Sequence, residues 1–174
     1  AFQKPELLRA ALTHASGADS RLDSNERLEF LGDAVLGLVV CERLFTNYPD
    51  LLEGDMTKIK SVVVSRRTCA HVCRQLNVEE FLLLGKGMTQ AGATNVLAHL
   101  YESLVAAVYL DGGLEPARDF ILKHLAGEID QVASNAHMGN YKSVLQQLAQ
   151  REYGATPNYQ LLDEKGPDHS KCFK

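Results

Sequence analysis

The segment NERLEFLGD at 25–33 sets three carboxylates, Glu26, Glu29 and Asp33, at spacings of three and four. On a helix they fall within about 60° of one another and form one acidic stripe. Like charges so placed repel by roughly 0.2–0.5 kcal/mol per exposed pair. The repulsion grows beside apolar neighbours such as Phe30, Leu31 and Ala34. Arg27 lies about 100° off the stripe, poorly placed to neutralise it. A solvated acidic face is one account of the pattern. The other is a hard divalent cation, which takes carboxylate oxygens and keeps waters. Because Asp33 stands beside FLG and AVLGLVVC, in the least polar stretch of the chain, it is expected to be buried, where an uncompensated charge is expensive.

Glu102 is the parallel case. It is the only acidic residue between Asn95 and Leu110 in NVLAHLYESLVAAVYLDGG, and His99 stands three residues before it, on the same helical face. Two apolar helices of this kind can close on each other as a metal site, with Glu29, Asp33, His99 and Glu102 converging in one coordination shell. For phosphodiester hydrolysis, metal in such a site orients and acidifies a water, neutralises a non-bridging oxygen and stabilises the leaving oxygen.

The elements that must position these residues read as helices. Apolar residues recur at helical spacing from Pro5 to Ala15, and SGADSRLDS at 16–24 reads as a loop. Asn25 can cap a long helix from Glu26 to Tyr48, ended by Pro49 and apolar nearly all round, hence the buried centre of the domain. After a turn at 50–53, Gly54–Leu76 reads as one further helix that carries Lys58, Lys60, Arg66, Arg67 and Arg74. A short helical turn and a glycine-interrupted loop follow, then Asn95–Leu110 and Leu114–Ile129 as helices around the turn DGG. No strand is needed before residue 150. Residues 133–139 are small and polar and read as a linker. Beyond them, YKSVLQQLAQREYG reads as a helix and PNYQLLDEKGPDHSKCFK as a strand, a turn at Glu164–Asp168 and the start of a second strand. A helix with one and a half strands has no second layer and cannot be a whole domain.

Length and composition agree with one complete domain and a remainder, within 174 residues that are 45% hydrophobic and 23% charged. The apolar run Leu36–Cys41 is far short of the roughly 20 residues that cross a bilayer, so no membrane segment is expected. Cys41, Cys69, Cys73 and Cys172 form no CxxC pair and no signal peptide is evident, which fits reduced thiols and a cytoplasmic location. Cys69 and Cys73 flank His71, which points to another face, so packing accounts for them better than a metal. The net charge of −4 argues against a uniformly basic nucleic-acid surface. Residues 1–133 hold 18 acidic and 13 basic side chains, whereas 134–174 hold 4 and 5. An acidic pocket loaded with metal reconciles that charge with a polyanionic substrate. GKG at 85–87 lacks the serine or threonine of a P-loop, so no nucleotide cofactor is expected.

NERLEFLGDAVLGLVV at 25–40 resembles the signature of the ribonuclease III family, as do LLRAALTHAS (7–16), Ser65–Arg67, Leu84–Gly87 and LVAAVYLDGG (104–113). The likeness spans residues 1–132 as the endonuclease domain. The segment 140–174 is similar to the first part, a helix and one to two strands, of the family's double-stranded RNA-binding domain. The resemblance implies an all-α nuclease domain and a two-fold homodimer. It implies two metal sites along one valley that cut the two strands of double-stranded RNA. The ends would be 5′-phosphate and 3′-hydroxyl with short 3′ overhangs, as in processing of ribosomal RNA precursors and other transcripts. It carries the metal carboxylates onto Glu29, Asp33 and Glu102, with Asp33 and Glu102 as the catalytic pair and Mg²⁺ or Mn²⁺ as cofactor. Glu26 matches a further acidic position near the dimer valley, and Phe30 the aromatic that packs across the dimer interface.

One position departs from the family. Where the pattern ADxxE is usual, this chain reads AHLYE, placing His99 on the fourth metal-linked aspartate. Imidazole is a poor ligand for Mg²⁺ but acceptable to Mn²⁺ or Zn²⁺. His99 therefore either binds metal, or weakens the site towards Mn²⁺, or leaves a duplex-RNA scaffold that does not cut. Survival of the other three carboxylates favours activity. His14 is expected to be a hydrogen-bonded packing residue at the end of the first helix. Lys58, Lys60, Arg66 and Arg67 serve phosphate contact or a solvated face equally well. Gln146 and Gln147 can reach the minor groove and its 2′-hydroxyls, or be plain surface.

Overall fold

In the computed structural model the described residues are 2–86, 93–139, 141–159, 164–165 and 172–173. Seven helices carry them: α1 (Pro5–Leu12), α2 (Glu26–Asn47), α3 (Glu53–Val63), α4 (Arg66–Gln75), α5 (Ala93–Gly112), α6 (Leu114–Gly139) and α7 (Tyr141–Tyr153). Short 3₁₀ turns stand at Ala15–Gly17, Arg21–Asp23 and Glu79–Phe81. Two-residue strands β1 (Glu164–Lys165) and β2 (Cys172–Phe173) pair antiparallel, Glu164 opposite Phe173. The chain divides into two compact units, Ala1–Ala136 and His137–Lys174.

The first unit is all-α, as expected, but its centre is α5 rather than α2. Every residue from Leu100 to Ala107 is buried, and α5 packs against α1, α2 and α4. Helix α2 buries only one face, through Leu28, Gly32, Val35, Leu36, Val39, Val40 and Leu44. Its opposite apolar stripe, with Phe30, Leu38 and Phe45, stays exposed within the chain. Apolarity all round therefore does not mean burial by the same chain. Helix α1 starts with Pro5 in its first turn, where a missing N–H leaves no bond unmade.

The single helix expected over Gly54–Leu76 is two. Val64 and Ser65 leave helical geometry, and Ser65, at ψ 151°, accepts the Thr68 N–H at 3.3 Å through Oγ. A serine that can cap competes with helix continuation, and the β-branched run Val62–Val64 before it offers little resistance. Conversely, helix α6 runs through 133–139, the span expected to be a linker. The buried stripe Ala117, Ile121, Leu125, Ile129, Ala133 carries the helical face into that span, and Ser134 hydrogen-bonds back to the Asp130 carbonyl at 2.8 Å. No proline stops it. In the second unit α7 ends at Gly154, whose φ of +63° turns the chain out of the helix. Strand β1 begins at Glu164, where a turn was expected. Residues 160–163 of the expected strand and 166–168 of the turn lie outside the described residues.

Candidate active site

The site is made by one very close helix crossing. A Cβ on Gly32 of α2 would stand 1.7 Å from the Glu102 carbonyl oxygen of α5, so only glycine lets the two backbones meet there. On α2, Glu29 lies one turn before Gly32 and Asp33 directly follows it; on α5, His99 lies one turn before Glu102, which is at the contact itself. Ser103 holds the crossing from behind. Its hydroxyl is 2.7 Å from the His99 carbonyl and 3.2 Å from that of Asn25. Asn25 does not cap α2 through its side chain. Its amide donates to the Ala11 carbonyl at 3.4 Å and its backbone N–H to that of Thr13 at 2.8 Å, tying α1 to the start of α2.

A cleft of about 680 Å³ opens at this crossing, lined by His14, Glu26, Glu29, Phe30, Asp33, Arg66, His99 and Glu102. Glu102 is 8% exposed, and no hydrogen bond or ion pair engages it among the described residues. Burial, reinforced by the charges of Asp33 and Glu29 and opposed by Arg66, pushes its carboxyl up to about 7. Asp33 is exposed, contrary to the expected burial, because it projects from the side of α2 that the chain leaves uncovered. Glu29 Oε2 faces His99 Nδ1 at 3.4 Å. Glu26 turns away to Arg21, 2.5 Å between Oε1 and the guanidinium, and that hydrogen bond holds its carboxyl below the usual range.

The four expected ligands thus share one cleft but not one coordination shell. Among the described residues no three histidine, cysteine, aspartate or glutamate side chains stand ready to hold a metal. Two carboxylates of the stripe already face partners of the chain, Glu26 the Arg21 guanidinium and Glu29 the His99 ring. What remains fits a hard divalent ion: a nearly buried carboxylate without a partner among the described residues, Glu102, beside a solvated one, Asp33. Such an ion uses one or two carboxylates and fills the rest with water.

Several residues in the cleft or paired with its carboxylates escape the sequence pattern. Arg66 heads α4 only because the helix breaks at Ser65, so its place in the cleft follows from a boundary that periodicity missed. Arg21 sits in a loop whose composition carried no signal beyond polarity. His14 is hydrogen-bonded as expected, its Nδ1 accepting the Ser16 N–H at 3.1 Å, and it also lines the cleft. Lys58 pairs with Asp55 at 3.7 Å, and neither it nor Lys60 nor Arg67 lines the cleft. Cys69 and Cys73 are fully buried, and burial, then for Cys69 the charges of Glu102 and Asp33, pushes each thiol up to about 12. Gln146 is exposed on α7, whereas the Gln147 side chain lies outside the described residues.

Fold and cleft together define an all-α domain whose two central helices cross to present carboxylates suited to a divalent cation. A family model described as ribonuclease-III-like matches residues 4–129. Ribonuclease 3 of Rhodopirellula baltica is 53% identical over 174 residues, covering 99% of this chain and 65% of its own length, so the chain spans less than two thirds of that relative. Ribonuclease 3 of Fusobacterium nucleatum is 40% identical, with 99% and 77% covered. A nuclease domain of ribonuclease III from Campylobacter jejuni, with structural flexibility in its region involved in dimer formation, superposes with a TM-score of 0.68 at 35% identity, covering 74% of this chain and 90% of that one. A Dicer from Pichia stipitis shares the fold, with a TM-score of 0.60 at 22% identity over 98% of this chain and 79% of its own. The chain belongs to the ribonuclease III family.

Proposed function

We propose that this chain is a divalent-metal-dependent endoribonuclease that hydrolyses phosphodiester bonds in double-stranded RNA. The products would carry 5′-phosphate and 3′-hydroxyl ends with short 3′ overhangs, as in processing of ribosomal RNA precursors and other transcripts. The observation that carries this reading is the Gly32–Glu102 crossing, which gathers Glu29, Asp33, His99 and Glu102 into one cleft.

Asp33 and Glu102 are the catalytic pair and, with Glu29 and His99, the groups that would hold Mg²⁺ or Mn²⁺. The cation supplies a water acidified for attack and neutralises charge on the phosphate. Asp33, exposed at the cleft, and Glu102, nearly buried in it, are the carboxylates that would hold the cation. Arg66, in the same cleft, is placed to take a phosphate oxygen, a contact that fixes register without reading sequence. Phe30, at the cleft edge, heads the exposed stripe of α2 and serves a homodimer interface, which places a second cleft beside the first. The segment 140–174 resembles part of a double-stranded RNA-binding unit that follows the nuclease unit and the span 133–139, and Gln146 and Gln147 are its candidate RNA contacts. No described helix is long and apolar enough to cross a membrane.

The second reading is a duplex-RNA scaffold that does not cut, favoured by one observation, the engagement of Glu29 by His99. Incubation with a perfect RNA duplex separates them. Cleavage in Mg²⁺ or Mn²⁺ that disappears in Asp33→Asn supports the enzyme. Absence of cleavage by the parent under both ions, with cleavage gained by His99→Asp, overturns it.

A further inference from the structure

Helix α4 is a basic element in an acidic chain. Its ten residues, Arg66–Gln75, hold three arginines and a histidine and no carboxylate, although the whole chain carries a net charge of −4. One face packs on α5 through Cys69, Ala70, Val72 and Cys73, all buried. The other, with Arg67, His71 and Arg74 within about 60° of one another around the axis, is exposed. His71 is engaged along the helix with Gln75, 3.1 Å between nitrogens, and Arg74 reaches the Thr94 hydroxyl at 3.4 Å. The arginines that pair with a carboxylate among the described residues stand elsewhere: Arg21, Arg43, Arg118 and Arg151. Protein surfaces ordinarily intersperse the two signs, and here one sign stands alone. Arg66 and Arg67 are moreover the first two residues after the Ser65 cap, at the positive end of the helix, where acidic side chains are favoured and cations opposed. Charge set against its own helix, with no carboxylate beside it, is offset by an anion from outside.

Resting on the RNA-directed reading above, we propose that the exposed face of α4 is an RNA-binding surface outside the cleft, on which Arg67 and Arg74 take phosphates of the duplex backbone. Arg66 lines the cleft and Arg67 follows it on the same helix, so the basic stripe begins at the cleft and runs about 10 Å along α4 from Arg67 to Arg74. A duplex seated in the cleft extends beyond it, and the guanidinium fork matches two phosphate oxygens at once. Such contacts fix where the chain sits on the duplex without reading its sequence. They also bear on the charge of the chain, because a polyanion arriving at the cleft meets a local positive face rather than the average of an acidic surface.

The test is equilibrium binding of a perfect RNA duplex by the whole chain in chelator, so that binding is read without cleavage, with affinity followed between about 0.05 and 0.2 M salt. Each phosphate contact that is lost makes the plot of log K against log[salt] shallower by about one. Arg67→Gln and Arg74→Gln should each do so, weakening binding roughly tenfold at about 0.1 M salt and equally for duplexes of unrelated sequence. The double variant should lose about two. Lys58→Gln removes the same unit of charge from α3 and should leave the slope unchanged. Urea midpoints of the arginine variants should match the parent, since the face is exposed. A lower midpoint for Arg74→Gln with an unchanged slope would make that residue a mere tie to Thr94 and overturn its part in the surface. Slopes unchanged in both arginine variants while the parent binds, or lowered as much by Lys58→Gln, overturn this inference and leave the reading of the cleft standing. Failure of the parent to bind the duplex even at the lowest salt removes the RNA-directed reading along with it.

Discussion

Glu102 sets the chemistry of the cleft through its surroundings more than through its identity. Its carboxyl is raised from the usual 4.5 to about 7 by burial and by Asp33 and Glu29. Between those two values the folded chain holds a proton that the unfolded chain has released. Stability therefore falls as the pH rises from about 4.5 to about 7 and loses nothing further from this group above that. Glu102→Gln removes the loss. In chelator-treated protein it should be more stable than the parent at pH 8 by about 3 kcal/mol and nearly equal at pH 4, measured by urea unfolding. A difference that stays constant across that range would show that ionisation of Glu102 is not opposed in the fold. The same substitution should abolish duplex cleavage, so stability is gained where function is lost. At this scale the sequence was informative about residue types and weak about surroundings. Glu29, Asp33, His99 and Glu102 line one cleft but do not reach the one coordination shell expected of them. Asp33 proves exposed and Glu26 neutralised because the deciding groups, an uncovered helix face and Arg21 in a loop, belong to no periodic pattern.

Among the elements, the crossing of α2 and α5 is the one the site cannot lose. Gly32→Ala drives a methyl into the Glu102 carbonyl at 1.7 Å and forces the helices apart. The expected cost is about 2–4 kcal/mol, with loss of activity beyond the loss of folded protein. Gly37→Ala on the same helix is the control. There the new methyl meets only the Lys60 side chain at 3.5 Å, so the gain in helix propensity should leave the protein unchanged or more stable by up to about 1 kcal/mol. Urea midpoints for the two variants, with activity per folded molecule, separate crossing from propensity. If Gly32→Ala matches Gly37→Ala, the crossing is not what holds the cleft. The break between α3 and α4 is tested by Ser65→Ala, expected to cost about 1 kcal/mol as a lost cap. Helices were legible wherever one face repeats, as in α1, α5 and α7. Their ends were not, because a cap such as Ser65 acts through one hydrogen bond and a continuation such as 133–139 through a stripe already buried upstream.

For the whole molecule, the acidic charge and the exposed apolar face of α2 belong to one question, how a chain of net charge −4 presents a surface to a polyanion. Phe30, Leu38 and Phe45 are 82%, 53% and 73% exposed and lie along one side of α2, starting at the cleft edge. A groove of about 480 Å³ lined by Leu38, Cys41, Phe45, Met56 and Lys60 continues that side towards α3. Left in water, large apolar side chains forgo about 1.5–3 kcal/mol each, a sum that a second copy of the chain recovers by covering them. In the proposed function, closure at this face would set two carboxylate clefts side by side, and cations there would turn acidic pockets into phosphate-binding ones. Phe45→Asp should therefore give a monomer by sedimentation equilibrium. Its helical circular dichroism should be unchanged, since the replaced side chain touches water in the single chain. Its binding of divalent cation should persist, because every group in the cleft is still present. What should disappear is the staggered cut through both strands of a duplex, which needs two clefts on one substrate. A Phe45→Asp protein that remains dimeric, or a monomer that still cuts both strands in register, would remove the apolar face from the working assembly.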